Sequence, residues 1–357
     1  MTDSNVARIR LHNQGVASPR FDEPSEVVRW FGAVQAQDYL GSLWALGLRT
    51  RRATEASVER AIARRSIVRT WPLRGTLHFV AAEDVRWMLR LSGGRTVARA
   101  AGRYRQLELD EATFTKSMRV LARSLEGGRQ LTRAELADAL EQSGIATGGQ
   151  RLIHILNRSA LEGLTCYAAR RGKQFTFALL DEWAPSSGGL PTREESLAEL
   201  AGRYFESRGP ATLQDFVWWS GLTTTDARAG LEAARPRLRR EVFGGQTYWL
   251  SASASAPKDE SPSAQLLPAF DEYTVAYKDR APILHPSHVR RADAATAILG
   301  PAVVVNGLAI GTWKRTLRKD SVLIETRLWA TVRKAERQAL DAAARRYGDF
   351  LGLAASY

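Results

Sequence analysis

Two glutamines two residues apart, Gln35 and Gln37, stand in the run Trp30-Phe31-Gly32-Ala33-Val34-Gln35-Ala36-Gln37-Asp38-Tyr39. A carboxamide accepts through its oxygen and donates through its nitrogen, so it can hold and orient a partner. It is a poor general base. Val27, Phe31 and Val34 share one stripe at helical spacing and predict a helix over 24–34. On a continuous helix, residues two apart point about 200° from each other. For Gln35 and Gln37 to act together, the backbone must be extended or turned, because only then do i and i+2 reach one side. Asp38 is a good N-cap and predicts a break followed by a new helix. Two ordinary polar residues near a helix end fit the same string, so residue types alone leave both readings open.

Other chemistry is sparse. The 357 residues contain no HExxH, no GxSxG, no P-loop and no GxGxxG that opens a helix. His285-Pro286-Ser287-His288 offers two histidines, but the proline disfavours a helical metal face and no third ligand is obvious. A single cysteine, Cys166, can form neither an internal disulfide nor a cysteine-based zinc site. Neither a metal nor an organic cofactor is expected.

Lys+Arg 51 against Asp+Glu 38 gives a net charge of +13, and the lysines are only Lys116, Lys173, Lys258, Lys278, Lys314, Lys319 and Lys334. The excess is therefore arginine, whose planar fork suits phosphate. Codon bias explains part of the arginine count, but not why the acids fail to keep pace. Nucleic acid is the simplest acidic partner. No apolar run approaches the roughly 18 residues of a membrane helix. The first twenty residues lack the apolar centre of a secretory signal, so a cytoplasmic protein is expected.

The elements that must position these residues form a repeating unit. Thr132 three residues before Glu135, and Thr212 three before Asp215, are capping-box signals. An amphipathic helix and a glycine break precede each box, around 114–125 with Gly127-Gly128 and 194–207 with Gly209-Pro210. Another helix follows each, 150–162 and 225–234, and then two short strands around a tight turn, 164–178 and 239–250. Helix, turn, helix, helix, β-hairpin is the order of a winged helix. The first hundred residues follow it less cleanly, with helices at 24–34, 39–46 and 54–64 before strands 67–71 and 76–80. The expected fold is α+β. Three tandem winged helices (1–108, 109–185 and 192–252) precede a small β-barrel-like region at 263–357 with a terminal helix. Residues 251–263 read as a linker, 265–267, 273–277, 302–305, 308–313 and 321–327 as strands, and 331–352 as an amphipathic helix. Its expected periodic residues are Val332, Ala335, Leu340, Ala343, Tyr347 and Phe350.

The strings VQAQDYLGSLWAL, IVRTWPLRGTLHFVAAEDVRWML, LLPAFDEYTVAYKDR and GTWKRT together resemble the winged-helix DNA glycosylase family of AlkZ and YcaQ. The likeness runs through most of the chain. It implies tandem winged helices with a β-barrel, and excision of N-alkylated purines, including bulky adducts and crosslinks. The family's catalytic signature is Gln, an apolar residue, then Gln or Asp. Gln35-Ala36-Gln37 matches the Gln–Gln form, with Ala36 a small version of the middle residue.

On that resemblance Gln35 and Gln37 are the catalytic residues and orient a water. The partner is double-stranded DNA carrying alkylated purines, bound by a monomer that associates with the nucleoid. Trp71, Arg74 and His78 of the first wing, and Trp313, Lys314 and Arg315 of a barrel hairpin, are expected DNA contacts. Asp38, Asp271, Tyr273, Lys278 and Arg280 have two open roles, support through buried ion pairs or contact with DNA. A DNA-binding regulator without catalysis is the main alternative, because winged helices are used mostly for binding.

Overall fold

A computed structural model describes residues 3–186, 188–254, 262–284 and 299–357. The His285–His288 pair and part of the expected linker lie outside the described residues. With 48% helix and 22% strand the fold is α+β.

In chain order the elements begin with α1 (Asp3–Asn13), α2 (Pro24–Phe31), β1 (Ala33–Gln35), α3 (Tyr39–Gly47), α4 (Glu55–Ala63), β2 (Ile67–Leu73), β3 (Thr76–Ala81) and α5 (Val85–Gln106). There follow α6 (Glu111–Leu125), β4 (Leu131–Thr132), α7 (Arg133–Gln142), α8 (Arg151–Leu161), β5 (Thr165–Tyr167), β6 (Thr176–Leu179) and α9 (Leu180–Trp183). Then come α10 (Arg193–Arg208), α11 (Leu213–Ser220), α12 (Thr224–Ala234), β7 (Leu238–Phe243), β8 (Gln246–Ser251), β9 (Ala264–Leu267) and α13 (Glu272–Val275). The chain closes with β10 (Ala302–Val305), β11 (Leu308–Leu317), β12 (Ser321–Leu328), α14 (Lys334–Leu351) and β13 (Ala354–Ser356).

The chain divides into two compact units, Met1–Val58 with Leu197–Tyr357, and Glu59–Ser196. The boundary after Val58 falls inside the first expected unit, 1–108.

In the unit 59–196 the strands run in the order β3-β2-β5-β6-β4. The β2–β3 hairpin closes through Arg74 and Gly75, both with positive φ (54° and 73°), the backbone that a two-residue turn between twisted strands requires. Thr132 and Glu135 form the expected capping box: the Thr132 hydroxyl accepts from Glu135 N, and the Glu135 carboxylate accepts from Thr132 N at 2.6 Å. Trp71, Tyr104, Phe114, Leu136, Ile155, Tyr167 and Phe177 pack as one apolar core. The 22-residue helix α5 was not anticipated. Its Gly93 lets the Leu161 carbonyl approach, since a Cβ there would lie 2.7 Å from that oxygen.

In the other unit, α10, α11 and α12 precede the β7–β8 hairpin, again in the expected order, with the Thr212–Asp215 capping box formed. The C-terminal strands make a curled half-barrel in the order β13-β12-β11-β10-β9. Asn306-Gly307 turns the β10–β11 hairpin with φ of 51° and 87°. Helix α14 buries Leu340, Ala343, Tyr347 and Phe350 as expected, whereas Ala335 is exposed and Val332 lies before the helix. Trp44 meets the rings of Tyr347 and Phe350 at 5.0 Å each. A Cβ on Gly47 would lie 2.5 Å from the Phe350 ring, so glycine is required where α3 passes that side chain.

Two expectations are corrected here. The expected helix over 24–34 stops at Phe31, because Gly32 (φ 74°) turns the chain into β1. Residues 273–277, expected as a strand, belong to a helical turn, α13, followed by irregular chain. The Asp271 side chain caps that turn by accepting from Tyr273 N at 2.8 Å. A local side-chain cap and buried ion pairs override the strand-like alternation of Tyr273, Val275 and Tyr277.

Candidate active site

Gly32 ends α2 and leaves 33–35 extended, which puts Gln35 and Gln37 on one side of the chain. The Gln35 amide nitrogen Nε2 donates to Gln37 Oε1 at 2.6 Å. Gln35 is buried and Gln37 is exposed, so the pair runs from the interior to solvent. Asp38 caps α3 by accepting from Gly41 N at 3.3 Å, which fixes the chain just beyond Gln37.

The motif is held from behind by a charged clamp. Glu272 accepts the Gln35 backbone N–H at 2.9 Å through Oε1. Through Oε2 it accepts from Arg208 Nε at 2.9 Å, Arg208 Nη2 at 2.7 Å and Trp219 Nε1 at 3.0 Å. Arg208 also donates to the carbonyls of Phe31 at 2.9 Å and Ala33 at 2.8 Å. Both side chains are essentially inaccessible, 0% and 1% exposed, and Arg208 divides its donors among Glu272, the Ser207 hydroxyl and the carbonyls of Phe31 and Ala33. A buried ion pair adds little to stability against an apolar substitute, but it specifies one arrangement.

A second buried pair lies beside the first. Arg49 Nη1 and Nη2 donate to the two oxygens of Asp271 at 2.9 and 2.8 Å, and Arg49 Nη2 also donates to Gln14 Oε1. Tyr273 donates to the carbonyls of Ala7 and Gly307, and Tyr277 to that of Arg208. Burial pushes the Tyr277 phenol up to about 12 and the Tyr273 phenol well above its usual range, so both stay neutral donors. Asp271 and Tyr273 therefore support the fold. Lys278 is exposed, its backbone N–H given to Asp215, and half-buried Arg280 donates to the Thr274 carbonyl. Burial lowers the Arg280 pKa.

The expected wing contacts are not gathered on a surface. Trp71 is 5% exposed and packs on Tyr167 at 5.2 Å, and His78 is buried with Nδ1 2.9 Å from the Thr76 carbonyl. Arg74 is half-buried at the hairpin turn. Strand alternation likewise separates the barrel triplet. Trp313 is buried and donates to Leu267 O at 2.7 Å; Lys314 is exposed and paired with Glu325 at 3.1 Å; Arg315 turns to the Tyr347 hydroxyl. The outward basic residues of the β11–β12 hairpin are Lys314, Arg318, Lys319 and Arg327.

Glu272 and Arg208 were missed. Glu272 stood in plain view beside Asp271, and Arg208 was hidden by the Gly209-Pro210 break it precedes. Among the described residues no cluster of three His, Cys, Asp or Glu side chains converges as a metal-ligand set.

The family model described as DNA glycosylase AlkZ-like matches residues 28–350. The chain belongs to that family. The AlkZ-like chain is 27% identical over 333 residues to the "Interstrand DNA cross-link repair glycosylase" of Streptomyces sahachiroi, covering 85% of each. Its fold is similar to the solved structure of the Streptomyces sahachiroi DNA glycosylase AlkZ, with a TM-score of 0.75 at 21% identity over 100% of this chain and 99% of that one. By family, then, the AlkZ-like chain is a DNA glycosylase. Among the described residues no helix is long and apolar enough to cross a membrane.

Proposed function

We propose that this glycosylase hydrolyses the N-glycosidic bond of N7-alkylated, cationic purines in duplex DNA, bulky adducts and crosslinks included, with Gln35 and Gln37 orienting the water. It acts as a monomer on a scaffold of three winged helices, 1–108, 109–185 and 192–252, with the barrel-like region 263–357. The observation that carries the reading is the 2.6 Å hydrogen bond between the two carboxamides on a clamped, extended segment.

An N7-alkylated purine carries a positive charge and departs neutral. The C1′–N9 electron pair goes to the ring, so no acid is needed to protonate the leaving group. The water supplies its oxygen to C1′ and gives its proton to solvent. What the protein must do is place that water as oxocarbenium character develops. Gln37, exposed and pinned by Gln35, has an oxygen lone pair left to accept from the water, the orienting role that glutamine plays in GTPases. The product is an abasic site without a nick. A coupled lyase needs an amine, and of the seven lysines only Lys278 and Lys314 lie within family-like strings, Lys314 being paired with Glu325.

The test is incubation with duplexes carrying 7-methylguanine or one bulky N7 adduct, followed by detection of free base. Tight binding with no base released from either duplex would overturn the reading and favour the non-catalytic regulator.

A further inference from the structure

Phe270 has a backbone that an aromatic residue rarely adopts. Its φ is +57°, in the left-handed region where a Cβ is crowded, yet its side chain is left 37% exposed. The conformation is enforced from both sides. The Phe270 N–H donates to Leu299 O at 2.8 Å, and the next residue, Asp271, is locked by Arg49. Backbone strain that the surroundings over-determine collects at functional sites.

The position of Phe270 is specific to the glutamine pair. It is the midpoint of the segment 268–272, which holds the motif at one end and packs beside the first turn of α3 at the other. At one end Glu272 holds Gln35 N. At the other, the Pro268 side chain lies 3.2 Å from where a Cβ of Gly41 would stand, a point the Asp38 carboxylate also reaches. Leu40, beside Gly41, is a second large apolar residue left 37% exposed. Two exposed apolar side chains thus stand on the segments that adjoin the motif, one within 268–272 and one in the first turn of α3, where phosphate recognition would call for arginine or lysine.

From these observations we infer that Phe270, backed by Leu40, is a wedge that enters the base step beside the target nucleotide from the minor groove. This rests on the glycosylase reading above. The water attacks C1′, so residues next to the glutamines face the sugar and the minor-groove edge, whereas an N7 adduct projects into the major groove, on the other side. Apolar wedges inserted from the minor groove unstack and kink the duplex. Here the opened step admits Gln37 and its water to C1′. Phe270 is a positioning residue; it acts through the DNA geometry.

The experiment uses the full chain and a duplex with 2-aminopurine beside a 7-methylguanine. Wild-type protein brightens the 2-aminopurine on binding, and Phe270→Ala does not. Single-turnover excision by Phe270→Ala falls by about tenfold or more, while the affinity for DNA changes by less than about threefold. A mismatch opposite the lesion, which opens the step in advance, restores most of the rate. Phe270→Gly takes the left-handed backbone freely, so it loses the wedge with no loss of melting temperature. Phe270→Trp keeps both signals. Phe270→Ala or Phe270→Gly brightening the probe as wild type does, excising at the wild-type rate, or failing to gain from the mismatch would overturn the wedge, as would loss of both signals by Phe270→Trp. Wild-type protein that brightens the probe but releases no base supports the wedge and refutes the glycosylase reading, so the two failures are distinguishable.

Discussion

At the residue scale, Gln35 and Gln37 have unequal surroundings and one shared task. Gln35 is buried and spends an amide hydrogen on Gln37, which alone of the two is exposed. Removing Gln37 takes away the group that meets the water, and removing Gln35 leaves Gln37 free to turn. Gln35→Ala and Gln37→Ala should each slow single-turnover excision by about 10²-fold or more, and the double variant should fall well short of the product of the two. Binding titrations should be unchanged, because neither side chain carries charge. Wild-type excision by both alanine variants would move the site elsewhere. Glu272 gives the complementary prediction. Glu272→Gln keeps an oxygen for the Gln35 N–H but leaves Arg208 charged and buried, 0% exposed. That should cost about 3–5 kcal/mol of stability. Denaturant titration checks it, and a shift below about 1 kcal/mol would mean that Arg208 finds water.

At the element scale, the features that came through from sequence are those with a local chemical cause. The Thr132–Glu135 box makes its own hydrogen bonds within four residues, as do the Thr212 box and the Asn306-Gly307 turn. The Glu135 carboxyl is lowered to about 2, chiefly by the Thr132 backbone N–H and then by Arg171 and the Thr132 hydroxyl. Its folded pKa lies below its ordinary 4.5, so its contribution is complete above about pH 4.5 and lost as pH falls through about 2. Glu135→Ala should therefore melt below wild type at pH 7, and the gap should close as pH approaches 2. A gap independent of pH would show that the carboxylate charge is not involved. Elements with distant causes were misread. Nothing near Tyr273 announces that Asp271 is held by Arg49, more than two hundred residues away, so 273–277 looked like a strand. The stripe Val27, Phe31, Val34 continued through Gly32, and only the positive φ at that glycine shows why the helix must end. Helix α5 was missed: glycine is a poor helix former and α5 carries Gly93, Gly94 and Gly102, of which Gly93 serves packing against Leu161. The glutamine pair was legible as a spacing. Its clamp was not, because Arg208 and Glu272 join segments far apart in sequence.

At the scale of the whole molecule, the +13 charge carries the remaining prediction. A few of the arginines are committed inside the protein: Arg10, Arg49 and Arg208 are each 1% exposed or less and serve backbone carbonyls and buried acids. The surplus that meets DNA must come from exposed side chains such as Lys314, Arg318 and Lys319 on the β11–β12 hairpin. Each phosphate they neutralise releases counterions, so the logarithm of affinity should fall linearly with that of salt, by about 0.9 per contact. With 6–10 contacts, affinity should drop roughly 10³–10⁵-fold between about 50 and 200 mM salt. Arg318→Ala and Lys319→Ala should each reduce the slope by about one and weaken binding to damaged and undamaged duplexes alike. Once DNA is saturated, the rate of bond cleavage should depend little on salt, because the reacting water is positioned by neutral carboxamides. Measuring affinity and single-turnover rate across the same salt series separates the two dependences. A flat affinity would remove the charge argument for DNA as partner, whereas a cleavage rate falling as steeply as affinity would place charged contacts, and not the glutamine pair, at the reacting sugar.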